Sequence, residues 1–177
     1  TSYATQTFYR EHTIVPPGVR LHRQQLSLLD PPETNVRLIN AFKPDVIHGF
    51  GFYLAMLFAH AHATGKPLHR PRVLLYTSEG LPESARRLIT KEYGIPVFSL
   101  YEAAEAFNIG FECAQHTGLH LNIDLHAVRI VHADGQTVPN GESGEVVISN
   151  LVNRATVLLN YCLGDLAANI TGRCPCG

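Results

Sequence analysis

The residues whose types and spacing could do chemistry are, first, cysteines and histidines. Three of the four cysteines fall into two short clusters, Glu112-Cys113-Ala114-Gln115-His116-Thr117-Gly118-Leu119-His120 and Cys174-Pro175-Cys176-Gly177. Zinc takes four tetrahedral ligands from cysteine thiolates and histidine nitrogens, so Cys113, His120, Cys174 and Cys176 would supply a Cys3His set. Such a site would staple the middle of the chain to its end. Its role would be structural, because four protein ligands leave no open position for a reacting water. Spacing alone leaves alternatives. His116 competes with His120 for the fourth place, and a cysteine pair separated by one residue is not a standard finger spacing, so unrelated free thiols fit the same string. A Cys174–Cys176 disulfide is disfavoured, since so short a ring strains the bond geometry.

Positioning such side chains requires a folded frame. The 177 residues are 45% hydrophobic, enough to bury a sizeable core in one domain or two small subdomains. A net charge of −1 with 16% charged residues offers no polybasic surface to nucleic acid or membrane. The longest apolar stretch, residues 50–61, is too short for a transmembrane helix. Residues 1–15 lack the charged start and apolar run of a secretory signal. Free cysteines beside a candidate metal set point to the cytoplasm.

The first hundred residues alternate helix and strand signals. Asp30-Pro31-Pro32-Glu33 reads as a cap and helix start, followed by the apolar face Val36, Leu38, Ile39 and Phe42 and a stop at Pro44. Residues 45–48 read as a short strand, 52–64 as a helix closed by Gly65, 72–77 as a strand, and Leu81-Pro82-Glu83-Ser84 as the start of a helix ending at Gly94. Residues 95–100 read as a third strand. This repetition predicts a parallel, helix-covered sheet. Alternating runs at 119–125, 127–132, 145–151 and 155–161, with turns at Asp134-Gly135 and across 138–144, predict a mostly antiparallel β subdomain. The expected division is an α/β part over 1–100 and a β-rich, metal-bearing part over 101–177, with a seam near 101–110. Pro16-Pro17-Gly18 breaks the first thirty residues into two pieces.

An ordered series runs through the last hundred or so residues: Ser78-Glu79-Gly80, Tyr101-Glu102-Ala103-Ala104-Glu105, Glu112-Cys113, Gly118-Leu119-His120, Gly141-Glu142-Ser143-Gly144-Glu145, Tyr161-Cys162-Leu163-Gly164-Asp165-Leu166 and Cys174-Pro175-Cys176-Gly177. Together it resembles the adenylate-forming superfamily, in its phenylacetate–coenzyme A ligase-like branch with the capsule-biosynthesis and coenzyme-adenylating relatives. Some members of that branch have the same cysteine and histidine pattern, which favours zinc. The resemblance implies activation of a carboxylic acid by ATP to an acyl-adenylate, followed by transfer to coenzyme A. It also implies roles. Tyr101 would stack on adenine, Glu79 would line the adenine and acyl pocket, and Glu105 would hold Mg2+. Asp165 would accept hydrogen bonds from the ribose hydroxyls. The acyl group would lie near His48, Gly49 and Phe50, at the carboxyl edge where open α/β sheets bind ligands. Taken singly, each has an ordinary structural explanation: a rim tyrosine, a surface acid, a turn aspartate, an edge histidine. Their order carries the reading.

The chain also departs from the pattern. No glycine- and serine-rich phosphate loop precedes the matched segments, and the family's lysine-bearing C-terminal domain has no counterpart. The family's Tyr-Gly-x-Thr-Glu turn reads Tyr101-Glu102-Ala103-Ala104-Glu105, so Ala104 replaces a hydroxyl and Glu102 a glycine. The family's Arg-Tyr-Arg-Thr-Gly-Asp reads Asn160-Tyr161-Cys162-Leu163-Gly164-Asp165, losing both arginines. The expectation is therefore part of an adenylation domain that does not turn over by itself. The alternative is a zinc-stabilised binding or scaffold module that keeps the fold without the chemistry. The acid and the oligomeric state are not specified by these residues.

Overall fold

In the computed structural model, residues 22–176 are described, and the Pro16-Pro17-Gly18 break and the polar opening segment lie outside them. Helix α1 (Pro32–Phe42) begins with proline at its first turn, where a missing N–H costs nothing. Its N-cap is Pro31 with no side-chain cap, so the expected capping by Asp30 does not occur. Lys43, in the left-handed conformation, closes the helix by donating to Ile39 O at 2.8 Å. Strand β1 (Val46–Phe50), helix α2 (Gly51–Thr64) and strand β2 (Val73–Thr77) follow. Gly65 at φ 61° ends α2, as its sequence suggested. Helix α3 (Glu83–Arg87) continues into a π-helical turn (Leu88–Glu92) and leads to β3 (Val97–Ala103).

Strands β1, β2 and β3 are parallel and adjacent, with Ile47, Leu74 and Val97 in register. These three meet a core of Val36, Ile39, Leu54, Leu57, Phe58 and Ile89 supplied by the helices. Phe58 is fully buried and meets Tyr93 edge to face, with ring centroids 5.0 Å apart. Helix α2 is apolar along most of its length because it is wedged between the sheet and its helical neighbours.

The sheet does not stop at the expected seam. Phe107, Ile109 and Phe111 alternate with small or polar residues and form β4 (Phe107–Glu112), which turns back antiparallel on β3 and was unrecognised in the sequence. Strand β5 (Leu119–Leu121) adds to β4, completing a five-stranded sheet in the order β1-β2-β3-β4-β5. The expected strand over 119–125 ends early, because Asn122 O accepts from the amides of Leu125 and His126 and starts a turn.

A second, antiparallel sheet comprises β6 (His126–Val131), β7 (Ser143–Asn150) and β8 (Tyr161–Ala168). The strand expected over 155–161 is instead a loop that only ends where β8 begins. Asn153 Oδ1 accepts from the amides of Ala155 at 3.0 Å and Thr156 at 3.2 Å, bending the chain away from a ladder. Ala106, Ile109, Val146 and Ile148 form a second apolar cluster between the two sheets. A parallel, helix-covered sheet followed by mostly antiparallel strands is the architecture anticipated from the residues. Among the described residues, no helix is long and apolar enough to cross a membrane.

Candidate functional site

Two constellations stand out, one at each end of the β3–β4 hairpin. At one end, the parallel strands finish in loops that carry side chains over the sheet edge. His48, Gly49 and Phe50 lie at the end of β1, in register with Leu75, Tyr76 and Thr77 at the end of β2. Beyond β2 the chain turns at Ser78, φ 67°, and Glu79 donates its amide to Thr77 O at 2.9 Å. Gly51 is needed beside this turn: a Cβ there would come within 2.4 Å of Glu79 O.

Across that edge, β3 is irregular between Tyr101 and Glu102, and the Glu102 carboxylate lies 3.6 Å from His48 Nε2. Glu102 drew notice in the sequence only as a lost glycine. Its partner lies 54 residues earlier and two strands away, so no local pattern could have paired them. The Tyr101 hydroxyl donates to Asp165 Oδ2 at 2.7 Å, and the Tyr161 hydroxyl donates to Glu105 Oε1 at 3.2 Å. Burial and this hydrogen bond raise the Tyr101 hydroxyl well above the ordinary phenol range. Thus β8 meets β3 and its following turn through two pairs, Tyr101 with Asp165 and Tyr161 with Glu105, while His48 reaches Glu102 from the end of β1 and Glu79 follows the end of β2.

At the other end of the hairpin lies the cysteine cluster. Cys113 follows β4 and His120 sits in β5, whereas Cys174 and Cys176 come from the segment after β8. One ligand atom from each of the four lies within 4.8 Å of the others. The Cys113 and Cys174 sulfurs are 3.6 Å apart, and Cys176 Sγ is 3.3 Å from His120 Nε2. Gln115 N donates to Cys113 Sγ at 3.4 Å, and Phe111 stacks on the His120 ring at 5.5 Å. The Cys176 amide and then its thiol pull the Cys174 thiol below its ordinary value, whereas the Cys174 thiol pushes Cys176 up. Thiols this close to one another and to an imidazole lose their protons on ligating a metal ion, whose charge then offsets the repulsion among the thiolates. The donor set and its mutual distances fit zinc.

His116, the rival fourth ligand, is engaged elsewhere. Its Nδ1 lies 3.0 Å from Glu112 Oε1, and its ring stacks on Phe98 at 5.3 Å. Glu112 is held by Arg86 Nη2 at 3.0 Å and the Ser99 amide at 2.8 Å. Burial would raise its carboxyl, but Arg86, Ser99 and His116 outweigh burial and lower it. Arg86 also donates to the Tyr76 hydroxyl at 2.9 Å and to Val97 O at 3.1 Å. This network tethers the Cys113 loop to α3 and the sheet. Arg86 in its helix carried no signal in the sequence of a partner 26 residues away. Beside it, Leu75, Phe98, Leu100 and Phe111 line a shallow groove of about 550 Å3 on the first sheet.

No protein-family model matches the chain. Phenylacetate–coenzyme A ligase of Thermus thermophilus is 29% identical over 152 residues, covering 82% of this chain and 34% of that protein. Phenylacetate–coenzyme A ligase of Pseudomonas putida is 27% identical over 146 residues, covering 79% of this chain and 33% of that protein. The chain therefore spans about a third of the length of the curated relatives it matches. Among solved structures, 2-hydroxyisobutyryl-CoA ligase in complex with 2-HIB-AMP and CoA superposes with a TM-score of 0.67 at 20% identity, over 77% of this chain and 34% of that one. The anthranilate CoA ligase AuaEII in complex with anthranoyl-AMP superposes with a TM-score of 0.58 at 18% identity, over 72% of this chain and 25% of that one. In sequence the chain is similar to phenylacetate–coenzyme A ligases and in fold to adenylate-forming coenzyme A ligases, the family that its ordered motifs resemble.

Proposed function

We propose that this chain is part of an ATP-dependent acyl–coenzyme A ligase that activates a carboxylic acid, of phenylacetate-like type, through an acyl-adenylate. Adenylation converts a poor electrophile into one with a good leaving group, and the protein contributes positioning and charge neutralisation. Tyr101 presents a flat ring for adenine, and Asp165 can accept from two ribose hydroxyls at once. Glu105 offers a hard oxygen to Mg2+ beside the phosphates. Glu79 lines the pocket, and His48, Gly49 and Phe50 flank the acyl group. The whole protein would act in the cytoplasm on small molecules, with coenzyme A as acceptor. The observation that supports this best is the convergence of Tyr101 and Asp165, 64 residues apart, at 2.7 Å.

Zinc at Cys113, His120, Cys174 and Cys176 is structural in this reading. It supplies no chemistry to the carboxylate, and its four protein ligands hold distant segments together.

One observation favours the alternative of a zinc-stabilised module that keeps the fold without the chemistry. Ala104 and Cys162 stand where the family has a hydroxyl and an arginine, and Glu145 pushes the exposed Cys162 thiol above its ordinary value. Titrating the chain with AMP and Mg2+ while recording backbone amide NMR signals separates the two. Ligase ancestry with a working site predicts shifts at Tyr101, Glu105 and Asp165 that vanish in Asp165→Asn. A silent spectrum favours the degenerate module.

A further inference from the structure

The last described strand and the segment after it are tied to the first sheet at two places. Strand β8 has a single neighbour in its sheet, β7, and that pairing is irregular between Glu145 and Val147. Most of β8 is exposed, Asp165 included. What fixes Asp165 across from Tyr101 must therefore come partly from outside its own ladder. On the nucleotide side the ties are Tyr101 to Asp165 at 2.7 Å and Tyr161 to Glu105 at 3.2 Å. Nine residues after Asp165, the chain returns to the same β3–β4–β5 unit at Cys174, 3.6 Å from Cys113, and then at Cys176, 3.3 Å from His120. Between these points Ile170 sits against Gly118, where any Cβ would come within 2.3 Å of its Cδ1.

We propose that the cysteine–histidine cluster is a positioning centre for the nucleotide site: metal held by Cys113, His120, Cys174 and Cys176 sets Asp165 against Tyr101. The proposal rests on reading the cluster as a zinc site and Tyr101 and Asp165 as nucleotide-binding residues. Tyr101, the β3–β4 hairpin, Cys113, the metal, Cys174 and Asp165 form one closed circuit, with twelve residues on one arm and nine on the other. Closing such a circuit at one point removes conformational freedom at the other, because the ends of a short loop no longer explore space independently. Without the metal that end is held by Ile170 against Gly118 and by contacts among thiols and an imidazole, and Asp165, in the irregular part of the β7–β8 pairing, is held less firmly against Tyr101. Cys174 and Cys176 are thereby positioning residues, acting on nucleotide through Asp165 and never touching it.

Coupling of this kind is reciprocal: if metal stabilises the Tyr101–Asp165 contact, losing that contact must weaken metal binding by the same factor. The test measures zinc affinity by competition with a chromophoric chelator for the wild-type chain, Tyr101→Phe and Asp165→Asn. Tyr101→Phe deletes one hydroxyl and keeps the ring. The expected result is at least about a fivefold loss of zinc affinity in both variants. Glu33→Gln, which alters a helix-side pair with His60, serves as the control and keeps the wild-type value. Amide hydrogen exchange supplies a second readout. Stripping the metal should speed exchange across Tyr161–Ala168 while Val73–Thr77 in β2 stays protected. Wild-type zinc affinity in Tyr101→Phe and Asp165→Asn would overturn the coupling while leaving the metal site standing. Equal loss of protection in β8 and β2 would also overturn it, since the metal would then support the whole fold and not this junction. A wild-type chain that takes up no zinc would overturn the metal reading, and the coupling with it.

Discussion

The guanidinium of Arg86 in helix α3 and the carboxylate of Glu112 at the end of β4 meet at 3.0 Å, with side chains 17% and 10% exposed. The carboxylate also accepts from Ser99 N and neighbours His116, so one acid organises a helix, a strand and the cysteine loop. Removing one partner leaves a poorly hydrated charge without its mate. Arg86→Met should lower unfolding free energy by about 3 kcal/mol, the cost typical of breaking a buried pair from one side. The double variant Arg86→Met/Glu112→Gln should recover part of that loss. Urea denaturation of the three proteins measures it, and an additive double variant would show that the pair is energetically independent.

The metal reading makes a ligand-by-ligand forecast. Cys113→Ser should lower both zinc content and thermal stability, because metal binding is coupled to folding when ligands come from distant segments. His120→Ala should do the same. His116→Ala should retain about one zinc per chain, since that ring is committed to Glu112 and Phe98. Elemental analysis of protein purified without added metal decides it. Unchanged zinc in Cys113→Ser would mean the ligands are misassigned.

Gly51 offers a backbone test of the sheet edge. In Gly51→Ala the new methyl would meet Glu79 O at 2.4 Å and Gly80 O at 2.9 Å, both backbone atoms that cannot rotate away. The start of α2 or the Ser78-Glu79-Gly80 turn must shift. A destabilisation of roughly 1–3 kcal/mol is expected, as for overpacking of a close contact. A thermal melt indistinguishable from wild type would mean that the turn is loosely held.

The Tyr101 hydroxyl is raised above its ordinary value of 10.0, first by burial and then by its hydrogen bond to Asp165. A raised value means that the folded chain holds this proton more tightly than the unfolded one. The resulting stability is fully present below about pH 10 and is lost as pH rises toward the folded value. Following tyrosine ionisation by ultraviolet absorbance, Tyr101→Phe should delete one of the late-titrating phenols. Asp165→Asn should move that phenol earlier. If Tyr101→Phe removes an early-titrating phenol instead, the hydrogen bond is absent in solution.

The elements that the residues determined by themselves are those whose signal is local. Pro32 and Glu33 start α1, Gly65 ends α2, and the apolar runs of β1, β2 and β3 alternate with helices, so the parallel half was legible from periodicity and punctuation. The ordered motifs from Ser78 to Cys176 were also legible, because their sequence order survives whatever the chain does in space. The loop at 151–160 was not legible: an apolar run resembles a strand, but Asn153 caps two amides and bends it. Nor was β4, which looked like a seam until β3 supplied the edge it pairs with. The residues already put His120 in the Cys3His set with His116 as its rival; only the tertiary structure committed His116 to Glu112, joined His48 to Glu102 and Arg86 to Glu112, and brought Tyr101 to Asp165. Each of these depends on where two separate strands or loops end in space. Hydrophobic periodicity fixes which face of an element is buried; the distance between side chains at the ends of different elements is set by the packing of the sheets around Leu74, Phe58, Ile109 and Ile148.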